Sequence, residues 1–233
     1  MATLCFDSWG TLVDNYSIVD VLEPHIGDSH LCQRISTDWR FMQKWSMFYL
    51  TLAERFIAQP GLTDASLRWA LDTHGVELAD EAVADIMSQY HKLRAYPDVP
   101  GALKQLKELG YTLKIVANPT KKMLEDHTKY AGIYEYFDEI ISSGDECQAF
   151  KPSPKVFQLG IERAGCPKED ILWVTSHFWE AVSADNQGLR TAWSNHQRIK
   201  PLPIGFTPTY ETRNLQQLAD ILAEEAKRAG AAE

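Results

Sequence analysis

The chain opens with a short apolar run, Leu4-Cys5-Phe6, that stops on Asp7 and passes into the Gly10-Thr11 pair. That pattern predicts a buried strand delivered into a turn. From Tyr16 to Lys92 the period changes to that of amphipathic helices. Trp39, Phe41, Met42, Trp45, Phe48, Tyr49, Leu52 and Phe56 recur at helical spacing, and Leu67, Ala70 and Leu71 do so later. The Gln59-Pro60-Gly61 sequence reads as the break between two helices, with Thr63 or Asp64 as the N-cap of the second. Beyond Tyr96, helical and strand patterns alternate. Helices are predicted over 100–109, 121–130, 154–164, about 179–186 and 215–226, and strands over 112–116, 137–141, 171–175 and 191–193. Gly110 and Gly165 serve as stops, and 227–233 reads as a frayed end.

This alternation predicts an α/β fold. Its parallel sheet is covered on both faces and carries its site at the carboxyl ends of the strands. The domain division that follows is a core made of 1–15 and 93–233, with a helical cap over 16–92. The chain has 233 residues, 45% of them hydrophobic, and a net charge of −9. Such acidity argues against nucleic acid as a partner, because phosphate neutralisation needs a basic surface. Any anion site must then be built locally from Arg and Lys. Cys5, Cys32, Cys147 and Cys166 are scattered without ligand spacing. They read as reduced thiols, and with neither a secretory leader nor a membrane-length apolar run, the expected setting is cytoplasmic without a membrane partner.

The chemistry-bearing residues gather where strands end. Asp7 follows the first strand, and a carboxylate there needs a partner or a use, commonly as a nucleophile or metal ligand. Asn118 follows the second strand, Lys151-Pro152 precedes a helix, and Thr175-Ser176-His177 with Glu180 follows the 171–175 strand. Lys151 nearby would hold Asp7 ionised by direct charge pairing.

This order of Asp, polar strand end, Lys-Pro and terminal acid resembles the four-part pattern of the haloacid dehalogenase superfamily over nearly the whole chain. The resemblance implies a doubly wound, Rossmann-like core with an inserted helical cap and Asp7 as the nucleophile. The branch most similar is that of the type II L-2-haloacid dehalogenases. It carries Trp-Arg early in the cap, as Trp39-Arg40 here, then the Lys-Pro pair, a Trp-acid-Ala run as Trp179-Glu180-Ala181, and a late Trp-x-Asn as Trp193-Ser194-Asn195. Phosphatases of the superfamily place a second aspartate two positions after the nucleophile; here that position is Trp9. The resemblance therefore implies hydrolysis of a C–X bond at C2 of a small carboxylic acid, through an ester on Asp7, without metal or organic cofactor.

In that scheme Thr11 and Ser176 donate hydrogen bonds that orient the Asp7 carboxylate. Glu180 activates the water that hydrolyses the ester. Ser8, Trp9, Arg40, Asn118 and His177 form the substrate-binding set. The residues depart from the branch at Ala117 and Pro119, at His177, at Phe157, and at Glu180, one methylene longer than the usual Asp. The favoured reaction is (S)-2-haloacid to (R)-2-hydroxy acid. The alternative is ring opening of L-azetidine-2-carboxylate, in which Trp9 would face an ammonium and His177 would accept a hydrogen bond. A phosphatase or a non-catalytic binding module ranks below both. The aromatic-rich cap also suggests a homodimer.

Overall fold

The computed structural model describes residues 2–230. β1 (Thr3–Phe6) has all four residues buried and leads into a helical segment. α1 (Val19–Ile26) ends at Gly27, whose φ of 77° closes the helix. α2 (Ser29–Leu52) is capped by the Asp28 side chain, which accepts from the Leu31 N–H. α3 (Gln59–Thr73) carries Pro60 in its first turn, and α4 (Asp80–Ser88) begins with Asp80 and Glu81 at the positive end of its dipole.

The alternating half follows. α5 (Val99–Glu108) precedes β2 (Thr112–Ala117), α6 (Lys121–Tyr130), β3 (Glu139–Ser142) and the short α7 (Ser143–Cys147). After it come α8 (Pro154–Ala164), β4 (Ile171–Thr175), α9 (Phe178–Asn186), β5 (Arg190–Ser194), β6 (Tyr210–Thr212) and α10 (Leu215–Gly230). The six strands form one parallel sheet in the order β3-β2-β1-β4-β5-β6. The chain winds outward from β1 to β3 and then returns to β4 on the opposite side. The point where the winding reverses lies beside β1, the place where open α/β sheets leave a crevice beyond their strand ends.

Register fixes what reaches that crevice. Phe6 lies opposite Ile115 of β2 and Val174 of β4, so Asp7, Asn118 and Ser176 all emerge at one rim. Alternation along β1 splits the core. Leu4 and Phe6 join Ile115 and Val174 in a cluster continuous with Ile35, Trp39, Leu67, Ile86 and Tyr90 of the helical segment. On the other face, Cys5 packs with Val116, Ile141, Trp173, Val156 and Phe157.

Several elements differ from the sequence expectation. α3 starts at Gln59 instead of after Gly61, because proline without its N–H is well placed in a first turn. Thr63 is therefore inside the helix and fully buried, where its carbonyl accepts from Trp39 Nε1 at 2.9 Å. The strand expected over 137–141 begins at Glu139, and α7 and β6 were not anticipated. α10 runs past residue 226 to Gly230, so 227–230 are helical, and 231–233 lie outside the described residues. No helix among the described residues is long and apolar enough to cross a membrane.

α8 approaches β4 closely at Gly160, where an added Cβ would stand 2.8 Å from Trp173 Cζ3. Trp173 is fully buried and flanked by Phe157, so it cannot move aside cheaply. Gly160→Ala is expected to cost about 1–3 kcal/mol through overpacking, lowering Tm by roughly 3–10 °C in a thermal melt. An unchanged Tm would show that the contact is looser than described.

Candidate active site

Asp7 is held in place by its backbone and by both carboxylate oxygens. Its N–H continues the sheet by donating to the Val174 carbonyl at 2.9 Å. Oδ2 accepts from the Thr11 hydroxyl at 2.8 Å and Oδ1 from the Lys151 ammonium at 3.0 Å. Lys151 enters from the loop between α7 and α8, where its backbone N–H donates to Asn118 Oδ1 at 2.9 Å. Its Nζ also donates to Glu180 Oε1 at 2.7 Å, and that oxygen takes a second bond at 2.7 Å from Trp173 Nε1. Glu180 Oε2 is buried with no hydrogen-bond partner among the described residues. One ammonium thus joins two carboxylates in a buried triad.

The surroundings drive those carboxyls apart. Burial alone would raise Asp7, but the Lys151 charge and the hydrogen bonds from Lys151 and Thr11 hold it below the usual carboxylate range. Glu180 is pushed up to about 7 by burial and by the Asp7 charge, with Lys151 and Trp173 restraining the rise. Burial lowers Lys151, yet its two carboxylate partners outweigh that and keep it charged. His177 is lowered to about 4, mainly by burial, and so is neutral at pH 7. Its Nε2 lies 3.0 Å from the Trp9 carbonyl, which only accepts, so Nε2 carries the proton and Nδ1 is the free acceptor. The ring also sits over Gly10, where a Cβ would meet His177 Cε1 at 3.2 Å and where φ is +79°.

A cavity of about 410 Å³ opens above this triad. Asp7, Trp9, Arg40, Asn118, Lys151, His177 and Glu180 all line it. Trp9 packs on Tyr90 at a ring distance of 4.5 Å, and its Nε1 is buried without an acceptor among the described residues. Arg40 hydrogen-bonds Ser36 and lies over the Tyr16 ring, 4.7 Å from its centroid.

Two expected roles need correction, those of Ser8 and Ser176. Ser8 does not face the cavity. It is fully buried, and its hydroxyl pairs with His127 Nε2 at 2.8 Å, because neighbouring residues leaving a strand point to opposite sides. Ser176 does not bond Asp7. Its hydroxyl donates to the Gly10 carbonyl at 2.6 Å, and its N–H donates to Thr11 Oγ1 at 2.9 Å. It therefore orients Thr11, which in turn orients Asp7. Asn118 spends its carbonyl oxygen on the Lys151 and Ser143 donors, leaving Nδ2 with only Met47 Sδ at 3.5 Å, a weak acceptor.

Sequence reasoning passed over other groups. Trp179, noted only within its Trp-acid-Ala run, lines the cavity, stacks on His177 at 5.6 Å and has a buried Nε1 without a partner among the described residues. Trp173 gave no signal beyond its strand. Lys44 also lines the cavity, and its spacing of four from Arg40 was the signal that could have found it.

Among the described residues, no group of three or more His, Cys, Asp or Glu side chains could hold a metal ion. The place between Asp7 and Glu180 belongs to the Lys151 ammonium. Chemically, the site pairs an ionised, oriented carboxylate with a second carboxyl that titrates near neutrality, beneath a largely apolar cavity.

Comparison with known proteins agrees with this geometry. Residues 1–188 match the model of the haloacid dehalogenase-like hydrolase family. An (S)-2-haloacid dehalogenase of Pseudomonas putida is 32% identical over 222 residues, covering 94% of this chain and 95% of that protein. A solved L-2-haloacid dehalogenase superposes with a TM-score of 0.90 at 29% identity, covering 96% of this chain and 99% of that one. A dehalogenase solved with an intermediate complex superposes at 0.87 with 26% identity, covering 95% and 96%. The chain belongs to the haloacid dehalogenase-like hydrolase family.

Proposed function

We propose that the protein hydrolyses the carbon–halogen bond of (S)-2-haloacids, giving (R)-2-hydroxy acids through an ester on Asp7. The observation that carries this reading is the buried Asp7–Lys151–Glu180 triad on the cavity floor. Asp7 attacks C2 in line with the halogen, forming the C–O bond as halide leaves with its electron pair. Configuration at C2 inverts. Water then adds to the Asp7 carbonyl carbon as Glu180 takes its proton, and the bond between that carbon and the substrate oxygen breaks as Glu180 returns the proton to that oxygen, releasing the hydroxy acid and the Asp7 carboxylate.

Position 9 supports the assignment. A halide leaves without a proton, so a tryptophan there costs the reaction nothing, whereas a phosphate ester leaving group would want an acid. The orphaned Glu180 Oε2 is the acceptor available to the attacking water. Arg40 gives the departing anion a cation on the cavity wall, and Asn118 Nδ2 suits the substrate carboxylate. Charge also favours the haloacid over azetidine-2-carboxylate, whose ammonium would share the cavity with Arg40 and Lys44. The cavity's aromatic lining, with α2 and the start of α3 forming part of its wall, suits a cap that excludes water during the displacement. The same reading expects no cofactor and a cytoplasmic setting. Exposed Phe41, Trp45, Tyr49 and Leu52 form a stripe on α2 that supports a homodimer.

The test is chloride and lactate formation from each enantiomer of 2-chloropropionate in EDTA. Release from the (S) form alone, lost in Asp7→Asn, is expected. No release from folded protein, with ring-opened product from azetidine-2-carboxylate, would replace this reading with the C–N one.

Glu180 must be ionised to take a proton, and its carboxyl lies near 7. Esterification of Asp7 removes one of the two causes that raise Glu180, so turnover should fall as pH drops, with its midpoint below the value of the free protein. Glu180→Gln should lower steady-state turnover by ~10²–10⁴-fold while still releasing a burst of one halide per protein. Loss of the burst together with turnover would assign Glu180 to the first step instead.

A further inference from the structure

Arg40 and Lys44 stand four residues apart on α2 and so share one face. Both are partly buried and both line the cavity above Asp7. Arg40 meets only the Ser36 hydroxyl and the Tyr16 ring, and Lys44 makes no ion pair or hydrogen bond among the described residues. Its charge nonetheless reaches into the site, where it adds to the lowering of His177.

The charge count of the cavity is uneven. Lys151 is engaged by both Asp7 and Glu180, and His177 is neutral. Arg40 feels the Asp14 charge without pairing with it, and Lys44 has no ion-pair partner among the described residues, in a chain whose net charge is −9. Partly burying a cation without a partner costs free energy unless a ligand supplies the opposite sign. A simple 2-haloalkanoate brings one lasting negative charge, its own carboxylate. The cavity's 410 Å³ also lies within the range that holds drug-sized ligands, far more than a three-carbon acid fills. The buried, unpartnered indole N–H groups of Trp9 and Trp179 add donors to the same wall and no negative charge.

We propose that Lys44 is the centre of a second anion subsite, and that the preferred substrates are 2-halodicarboxylates such as 2-chlorosuccinate. The carboxylate beside the reacting carbon is held near Asp7, and the distal carboxylate pairs with Lys44. The products are halide and a 2-hydroxydicarboxylate. The reaction that supplies the substrate is one that adds hydrogen halide across the double bond of an unsaturated dicarboxylate. The proposal rests on the dehalogenase reading for its chemistry, but the subsite itself is testable without turnover.

The experiment compares (S)-2-chlorosuccinate with (S)-2-chlorobutyrate, which match in chain length and differ in carboxylate against methyl at the far end. The wild type is expected to favour the dicarboxylate in kcat/KM by about tenfold or more, the scale of one hydrogen bond to a charged group. Lys44→Met should collapse that ratio, and Lys44→Arg should restore most of it. A ratio that Lys44→Met leaves unchanged, whether both substrates fall equally or neither falls, overturns the subsite. Calorimetry with unreactive succinate and butyrate separates this from failure of the dehalogenase reading. Tighter succinate binding that disappears in Lys44→Met upholds the subsite even where no halide is released. Equal affinity for the two acids in the wild type overturns it.

Discussion

The Lys151 ammonium, fully buried between Asp7 and Glu180, is the interaction on which the site depends. Two carboxylates this close to one another and out of water would not both remain ionised; a cation bonded to each changes that balance. Removing one partner of such a buried group costs about 3–5 kcal/mol, because the remaining charges are left uncompensated. The fold is arranged to keep all three in place. β1 brings Asp7 to the rim, the loop before α8 brings Lys151, and the first turn of α9 brings Glu180. Trp173 on β4 adds a third bond, to Glu180, and Gly160 lets α8 close over that indole.

One cation serving two acids also sets those acids to different tasks. Asp7 has the additional Thr11 donor and stays an anion, as a nucleophile must. Glu180, buried and facing the Asp7 charge, is pushed up to about 7 in the free protein, and its Oε2 has no partner among the described residues, which leaves that oxygen for water. Around them the orientation is relayed. Ser176 holds Thr11, Thr11 holds Asp7, and Asn118 holds the Lys151 backbone. Trp9, Trp179, Arg40 and Lys44 line the space for substrate, and Asn118 belongs to both sets.

Much of this was legible in the chain. Asp7, Lys151 and Glu180 stand where alternating strand and helix patterns end, and a parallel sheet gathers such ends on one rim. α6, α8 and β4 fell where periodicity and glycine stops put them. Side-chain direction inside turns was not legible. Nothing in Asp7-Ser8-Trp9-Gly10-Thr11 says that Ser8 turns to His127, or that the Ser176 hydroxyl prefers the Gly10 carbonyl to a carboxylate. β6 spans three residues and exists through its pairing with β5, a tertiary effect no local pattern carries. α3 was misplaced because Pro60 was read as a break, when the same residue starts the helix. Lys44 was hidden by its ordinary character, since lysine on an amphipathic helix usually only faces water.

The most direct measurement of the account is a single turnover in H2¹⁸O with protein in excess of a 2-haloacid, followed by mass spectrometry of product and of the peptide that contains Asp7. Water that attacks the Asp7 carbonyl leaves its oxygen in the protein, so the account predicts ¹⁸O in the Asp7 carboxylate and unlabelled hydroxy acid. Label in the hydroxy acid, with none in Asp7, would mean that water displaces the halide directly, and would contradict the ester on which the mechanism is built.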